Sequence, residues 1–89
     1  MLERADSLDN LLWYSLQDAV SLADANSVFL YAAKVITLKE GSHFTLKAEL
    51  YGTPRTPKTL GFEIKAVSRY NLGIVRDGGT YHCNVVVDV

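Results

Sequence analysis

Apolar residues in the first third of the chain recur at steps of three and four positions. This stripe contains Leu8, Leu11, Leu12, Leu16, Ala19, Val20 and Ala23. The spacing is that of one face of an α-helix, and the opposite face is polar. Asp6 or Ser7 can cap the start, Asp9 complements the helix dipole, and the segment 24–27 is typical of an end. The pattern predicts an amphipathic helix of about 16 residues, into which 1–6 leads almost directly.

After the helix the period changes from 3.6 to 2. Val28 to Lys39 is rich in β-branched and aromatic residues, although "YAAK" weakens the pattern in its middle. Glu40-Gly41-Ser42 is a turn signal, and His43 to Tyr51 alternates between apolar and polar positions. The two segments predict a β-hairpin.

Gly52 to Gly61 holds both prolines and predicts an exposed loop. Its Arg55 and Lys58 are most simply solvated, and a phosphate or partner contact is the alternative. Strand patterns resume beyond the loop, with a tight turn at Asp77-Gly78-Gly79. The predicted strands are Phe62 to Arg69, Leu72 to Arg76 and Thr80 to Val89.

The element order predicts an α+β fold, in which a mostly antiparallel sheet of about five strands is covered by one N-terminal amphipathic helix. A chain of 89 residues has room for one domain, 1–89. One helix covers one face of the sheet, so we expect the other face to be wet or to be covered by another layer.

Charge and cysteine content narrow the setting. The formal net charge of −1 gives no global attraction to nucleic acid or to membranes, so we expect no membrane partner and no direct sequence-specific nucleic-acid binding. No stretch approaches the ~20 apolar residues of a membrane span. The single cysteine, Cys83, cannot form an internal disulfide and favours a reducing, cytoplasmic location.

General catalytic motifs are absent from the sequence. There is no phosphate-binding glycine loop, no paired-cysteine zinc spacing and no nucleophile elbow. His82 and Cys83 are adjacent on a predicted strand and therefore project to opposite faces. Cys83 falls on the apolar face, where we expect a small core residue rather than a nucleophile.

Asp88 is unusual because it closes the apolar run "NVVVDV" with a carboxylate. In one interpretation the terminus frays and Asp88 points into water. In the other, Asp88 is a ligand for a hard cation, helped by a Val89 carbonyl or carboxylate oxygen. Lys65 has similar alternatives: a solvent face shared with Glu63, or a functional lysine with an acidic or phosphate partner elsewhere.

Several segments resemble the archease family. "FEIKAVSRYNLGIVRDGGTYHCNVVVDV" is similar to its C-terminal signature, which carries a Glu-x-Lys-Ala segment, a hairpin and a terminal Val-Val-Phe-Asp-(Ile/Val). "DSLDNLLWYSLQDAVSLADANSVFLYAAKV" looks like the archease helix with the strand that follows it, and "LKAELYG" resembles the Leu-Lys-Ala-x-x-Tyr-Gly strand. The resemblance runs over nearly the whole chain.

The resemblance implies an accessory protein in tRNA processing, not an enzyme. Archeases promote guanylylation and turnover of the tRNA-splicing RNA ligase and bind a divalent metal ion through acidic side chains. On this resemblance Asp88, with Val89, corresponds to the C-terminal metal ligand for calcium or magnesium. Lys65 corresponds to the signature lysine linked with activation, and Glu63 is its motif neighbour.

Two departures from the family pattern shape the expectations. Nothing here corresponds to the N-terminal His-Thr-Ala-Asp segment that supplies another acidic ligand, so the chain resembles the C-terminal two-thirds of an archease, divergent or truncated. The usual Thr-Tyr-His reads Ser68-Arg69-Tyr70. Without the N-terminal strand and helix unit we expect an exposed apolar face or edge, and therefore either a homo-oligomer or a need for another chain. The alternative function is an interaction domain that kept the scaffold and lost the metal site.

Overall fold

The computed structural model of the protein describes residues 1–56 and 64–89. One helix packs on antiparallel strands, which confirms the predicted α+β class. Within the described ranges the strands form one three-stranded and two two-stranded sheets. The elements are β1 Leu2–Ala5, α1 Leu8–Ala25, β2 Val28–Lys39, β3 Phe44–Pro54, β4 Ala66–Val67, β5 Gly73–Asp77, β6 Thr80–Asn84 and β7 Val87–Asp88. No helix in these ranges is both long and apolar enough to cross a membrane.

Helix α1 begins and ends where the capping residues predict. Ser7 is the N-cap, and its hydroxyl accepts a hydrogen bond from the Asn10 amide at 3.1 Å. Asp9 lies in the first turn, beside the positive end of the helix dipole. At the other end the Asn26 side chain donates to the Leu22 carbonyl at 2.8 Å, and Ser27 turns the chain with a φ of 52°. The helix therefore enters β2 through a local turn.

Strand β1 is an element that the sequence pattern missed. It pairs antiparallel with β3, with Ala5 opposite Phe44 and Leu2 opposite Lys47. Met1 extends the ladder because its main chain exchanges hydrogen bonds of 2.9 Å with Ala48 in both directions. A strand of four residues is too short for its alternation to stand out, and its pairing partner lies about forty positions away. The sheet order is β1-β3-β2, so β1 and β2 are its edges.

The β2–β3 hairpin is confirmed, with irregularities that the weak "YAAK" pattern indicated. The register shifts between Leu30 and Ala32 and again between Val35 and Thr37. Each shift inserts one extra residue into β2 and exchanges the faces of the strand residues beyond it. Gly52 fits at the far end of the hairpin because a Cβ there would lie 3.0 Å from the Phe29 carbonyl oxygen. Close strand contact therefore requires glycine at this position.

The core beneath the helix is small. Its fully buried apolar residues are Ala5, Leu11, Ala23, Ala48 and Val67. Apolar side chains of β2 remain outside it, and Val35 and Leu38 are 58% and 49% exposed. The radius of gyration is 14.0 Å, against about 12 Å for a compact domain of this length. The helix therefore covers part of one sheet face and leaves much of β2 uncovered.

The C-terminal third differs from its prediction in two ways. The turn at Asp77-Gly78-Gly79 is confirmed, with φ values of 55° and 82° at the two glycines. The single strand predicted over Thr80 to Val89 is wrong, because β6 pairs with β5 whereas β7 pairs with β4. Cys83 was expected in the core and is exposed. In the described structure the β5–β6 ladder consists of its own two strands, and every residue of β6 is exposed.

The proline-rich segment is shorter as a loop than predicted, since β3 continues through Pro54. The Arg55 guanidinium donates to Asp24 Oδ1 at 3.0 Å and lies 4.9 Å from the centre of the Phe29 ring. Arg55 therefore has partners within the fold. Lys58 lies outside the described residues, as do the first two residues of the strand predicted over Phe62 to Arg69.

Candidate functional site

A short ladder joins the two residues that the sequence analysis singled out. Strand β4 pairs antiparallel with β7, with Ala66 opposite Asp88 and Val67 opposite Val87. The Lys65 amide donates to the Asp88 carbonyl oxygen at 2.8 Å, immediately before the first of these pairs. The Ser68 amide donates to the Val86 carbonyl at 2.9 Å and closes the other end. Lys65 and Asp88 are therefore held together through their main chains.

Two side chains of α1 fix this ladder to the helix. The Val67 amide donates to Gln17 Oε1 at 3.0 Å, and the Trp13 indole nitrogen donates to the Val67 carbonyl at 2.9 Å. Trp13 and Gln17 are four positions apart, so they lie one above the other on the same helix face. Val67 itself is only 6% exposed. On the edge of β4 that faces away from β7, the amide and carbonyl of Val67 thus form hydrogen bonds with helix side chains and not with another strand.

The charged ends of the ladder residues are in solvent. Lys65, Asp88 and Val89 are all exposed, and Val89 is 65% exposed. Among the described residues, neither the Lys65 ammonium nor the Asp88 carboxylate forms an ion pair or a side-chain hydrogen bond. The structure brings the two backbones together and leaves both charged groups available to something outside the chain.

The residues present do not by themselves fit a metal centre. Calcium and magnesium take six or more oxygen ligands, usually with several carboxylates or waters. Within 1–56 and 64–89, no group of three or more His, Cys, Asp or Glu side chains is placed to hold a metal ion. Asp88 belongs to no such group, and Glu63, the motif neighbour of Lys65 in the resemblance, lies outside the described residues. Further ligands would have to come from elsewhere.

Comparison with known families decides the relationship. The chain matches, over residues 2–89, the model of the family described as "Archease protein family (MTH1598/TM1083)". The chain belongs to the archease family. No curated protein matches it at a significant level. Membership supports an archease-like accessory role in RNA processing.

The archease signature departs most at Ser68-Arg69-Tyr70, and the structure gives Arg69 a structural role. Its guanidinium lies 4.0 Å from the centre of the Trp13 ring and 5.6 Å from that of Tyr14. It also donates to Asn10 Oδ1 at 3.1 Å. Arg69 therefore covers the Trp13 indole that holds β4, so this archease chain has a second tie between the ladder and the helix. The helical spacing of Asn10, Trp13 and Tyr14 was the available signal for a common partner.

A carboxyl pair elsewhere in this archease chain was not predicted. Glu3 of β1 and Asp18 of α1 line one side of a shallow cleft together with Ser21. Burial, then the hydrogen bond and negative charge of Asp18, raises the pKa of Glu3 to about 7, while the N-terminal ammonium opposes the shift. Sequence spacing gives no signal for this pair, because it depends on β1 pairing with β3 beneath the helix.

Proposed function

We propose that the chain is an archease-type accessory protein that promotes guanylylation and turnover of a tRNA-splicing RNA ligase, and that it is not a ligase itself. The observation that carries the proposal is the family match over residues 2–89. Lys65 and Asp88 are both exposed and correspond by resemblance to functional residues of the archease signature. Because Ala66 is the residue opposite Asp88, the Lys65 side chain projects from the other face of the ladder. We place the protein in the cytoplasm, in keeping with its single cysteine, Cys83.

Lys65 is the activating residue in this proposal. A lysine ammonium is a compact, strongly hydrated cation on a flexible stem, suited to phosphate oxygens that it approaches from outside. The ladder holds the Lys65 main chain at Asp88, and Gln17 and Trp13 hold the ladder on the helix. The main chain of Lys65 is therefore fixed, and its flexible side chain extends the ammonium toward the nucleotide or phosphate groups of the ligase.

Asp88 and Val89 are the proposed metal ligands, for calcium or magnesium. Carboxylate and terminal oxygens are the donor types that both ions take. Because Asp88 belongs to no group of three or more possible metal ligands among the described residues, the remaining ligands must come from another segment or from the ligase. Metal binding by this chain alone is therefore expected to be weak, and strong only in the complex.

Guanylylate formation tests the accessory role. A matching ligase is incubated with guanosine triphosphate, with and without this protein, and the covalent ligase guanylylate is followed over time. We expect stimulation by the intact chain, and its loss with Lys65→Gln or Asp88→Asn. Glu40→Gln and Arg76→Gln remove exposed charges away from the ladder and should leave stimulation intact. If the intact chain gives no stimulation, the accessory function is wrong.

The second candidate is an interaction domain that kept the archease scaffold and lost the metal site. It is favoured because no group of three or more possible metal ligands is found among the described residues. Titration calorimetry separates the two: the chain is titrated with calcium and with magnesium, alone and after mixing with the ligase. Binding that appears with the ligase and is weakened by Asp88→Asn supports the first function. Equal, millimolar or absent binding in every mixture supports the second.

Self-association is a further part of the proposal. Both outer strands of the three-stranded sheet are edges, and apolar side chains of β2, including Val35 and Leu38, are exposed. Exposed apolar strands at a sheet edge favour pairing with another chain. We expect light scattering to give a mass above the monomer at micromolar concentration. A monomer across the whole micromolar range would contradict this.

A further inference from the structure

The sheet face opposite the helix is defined by the strand register. Ala48 is buried beneath α1, so its register partner Val35 lies on the helix side, and residues one position away in β3 lie on the other side. The pairing then places side chains from three strands on one outward surface. This outer face consists of Leu2, Arg4, Ala32, Lys34, Thr37, Lys39, Thr45, Lys47, Glu49 and Tyr51.

Positive charge is concentrated on the outer face. Arg4, Thr45 and Lys39 form one row across the three strands. The next row is Leu2, Lys47 and Thr37, and the row after that pairs Glu49 with Lys34. Four cations and one acid give the face a net charge of +3, which leaves −4 for the rest of a chain whose formal net charge is −1. Positive charge therefore lies mainly on this face, although the net charge of the whole chain is close to zero.

The cations at one end of the face have no acidic partner. Within the described residues, Arg4, Lys39 and Lys47 form no ion pair. They line a shallow cleft of about 420 Å³ whose only acidic lining residue is Glu3, on the helix side of β1. The acids that border this end are Asp6, which is bonded to His43 at 3.2 Å, and Glu40 in the β2–β3 loop. A negatively charged ligand would therefore meet three cations that form no ion pair with the described residues.

Aromatic side chains lie at the other end of the face. Tyr31 occupies the first irregularity of β2, and its ring centre lies 6.5 Å from that of Tyr51. Tyr31 is 72% exposed, and the Tyr51 hydroxyl donates to Glu49 at 2.6 Å. The Tyr51 bond occupies the single acid of the face and fixes that ring. A charged strip that ends in exposed tyrosines combines phosphate binding with base stacking.

We propose that the outer face binds single-stranded RNA without sequence preference, with Arg4, Lys39 and Lys47 at phosphates and Tyr31 and Tyr51 beneath bases. The cations are on flexible side chains and reach no fixed base edge, so they position a strand and do not read it. This function lies beyond ligase activation. It uses a surface that contains neither Lys65 nor Asp88, so either function can fail without the other.

Fluorescence anisotropy with a labelled oligouridine tests the proposal in the absence of ligase. We expect binding at low salt that weakens between roughly 50 and 200 mM salt, with a logarithmic slope of about −2 for three phosphate contacts to a single strand. Combined replacement of the three cations (Arg4→Gln, Lys39→Gln, Lys47→Gln) should weaken binding by at least about tenfold. Tyr31→Ala should weaken it several-fold and change the salt slope little.

Arg76→Gln is the matched control, because it removes an exposed cation from β5, away from the outer face. Circular dichroism and melting of each variant show whether the fold is retained. Polyglutamate is the competing polyanion. If it displaces the RNA at equal charge concentration and Tyr31→Ala has no effect, the face binds an acidic protein surface and the RNA proposal is overturned. Absence of RNA binding at low salt, or equal loss with Arg76→Gln, also overturns it.

Discussion

The N-terminal sheet and the C-terminal ladders use the same helix in different ways. The β1-β3-β2 sheet has long main-chain ladders and meets α1 through buried apolar residues such as Leu11 and Ala48. The β4–β7 ladder has two residue pairs and meets α1 at Val67, whose amide donates to Gln17 and whose carbonyl accepts from Trp13. The sheet meets the helix through buried apolar side chains, whereas the ladder combines one buried side chain, Val67, with two polar bonds between its main chain and the helix. We therefore expect the two regions to respond to different substitutions.

The β5–β6 hairpin is also held to α1 by a polar side chain. Its Ile74 amide donates to Asp9 Oδ1 at 3.1 Å. Asp9 also lies in the first helical turn, where its charge stabilises the helix. Three polar or aromatic residues of α1 thus hold main-chain groups of the C-terminal third. The candidate site depends on these bonds, because they place the ladder that carries Lys65 and Asp88.

The largest effect on stability is expected at Leu11, in the core beneath the helix that both regions contact. Leu11 is 2% exposed at the centre of the core, and Leu11→Ala should lower the free energy of unfolding by about 2–5 kcal/mol. Urea denaturation followed by circular dichroism measures it. Leu2→Ala is the control, because Leu2 is 76% exposed, and it should change stability by less than about 0.5 kcal/mol. Equal losses for the two variants would show that the core is not where the structure places it.

A smaller effect on stability should be confined to the C-terminal ladders and leave the N-terminal sheet unchanged. Gln17→Ala leaves the Val67 amide without its acceptor, at a cost of about 1–3 kcal/mol. Amide hydrogen exchange should accelerate at Val67. It should also accelerate at Lys65, whose amide donates to Asp88 of β7, and at Ser68, whose amide donates to Val86 just before β7. The Ala48 amide in the sheet should keep its protection. Trp13→Phe should act in the same direction, because it removes the indole donor and retains a ring beneath Arg69.

Ser21→Ala is the control for this division, since the Ser21 hydroxyl donates only to the Gln17 carbonyl within the helix. It should leave exchange in both regions unchanged. If Gln17→Ala accelerates Ala48 as much as Val67, the regions unfold as one unit and the comparison between them fails. If the proposed function is correct, Gln17→Ala also lowers ligase guanylylation by this chain more than Ser21→Ala does.

Local patterns predicted the elements that are long or strongly marked. The stripe from Leu8 to Ala23, the Ser7 cap and the Asp77-Gly78-Gly79 turn each combine several signals within a few residues. Strand β1 was missed because four residues carry too little pattern. The strand predicted over Thr80 to Val89 was wrong because "NVVVDV" has strand propensity throughout, whereas pairing is decided by which partner each half meets.

The candidate site was predictable only in part, for a related reason. The family resemblance predicts functional roles for Lys65 and Asp88, which stay predictions, and the structure joins the main chains of these two residues. The Gln17 and Trp13 bonds were not visible in the sequence, because they depend on where β4 passes the helix. The sequence does not distinguish a polar residue on the side of a helix that binds water from one that binds the main chain of a neighbouring strand. The outer basic face was hidden as well, since it requires the register of three strands and two bulges.

The smallest effect depends on pH and belongs to the sheet region. The pKa of Glu3 is about 7 in the folded chain against 4.5 ordinarily, first through burial and then through Asp18. The folded state therefore holds a proton that the unfolded state has lost, so stability falls as pH rises from about 4.5 to about 7 and stays lower above that. Solvent screens the partly exposed pair, and we expect a loss of about 1 kcal/mol.

Glu3→Gln should remove this pH dependence, because a neutral amide cannot repel Asp18. Urea midpoints at about pH 5 and about pH 7.5 measure it, with Glu40→Gln, a loop carboxylate, as the variant that keeps the slope of the unmodified chain. Exchange at the Ala48 amide, which bonds to Met1 near Glu3, should rise with pH beyond its intrinsic increase, and the Val67 amide should not. If Glu3→Gln retains the slope, the two carboxyls do not share a proton. The pH response must then be sought among the polar ties of the C-terminal ladders.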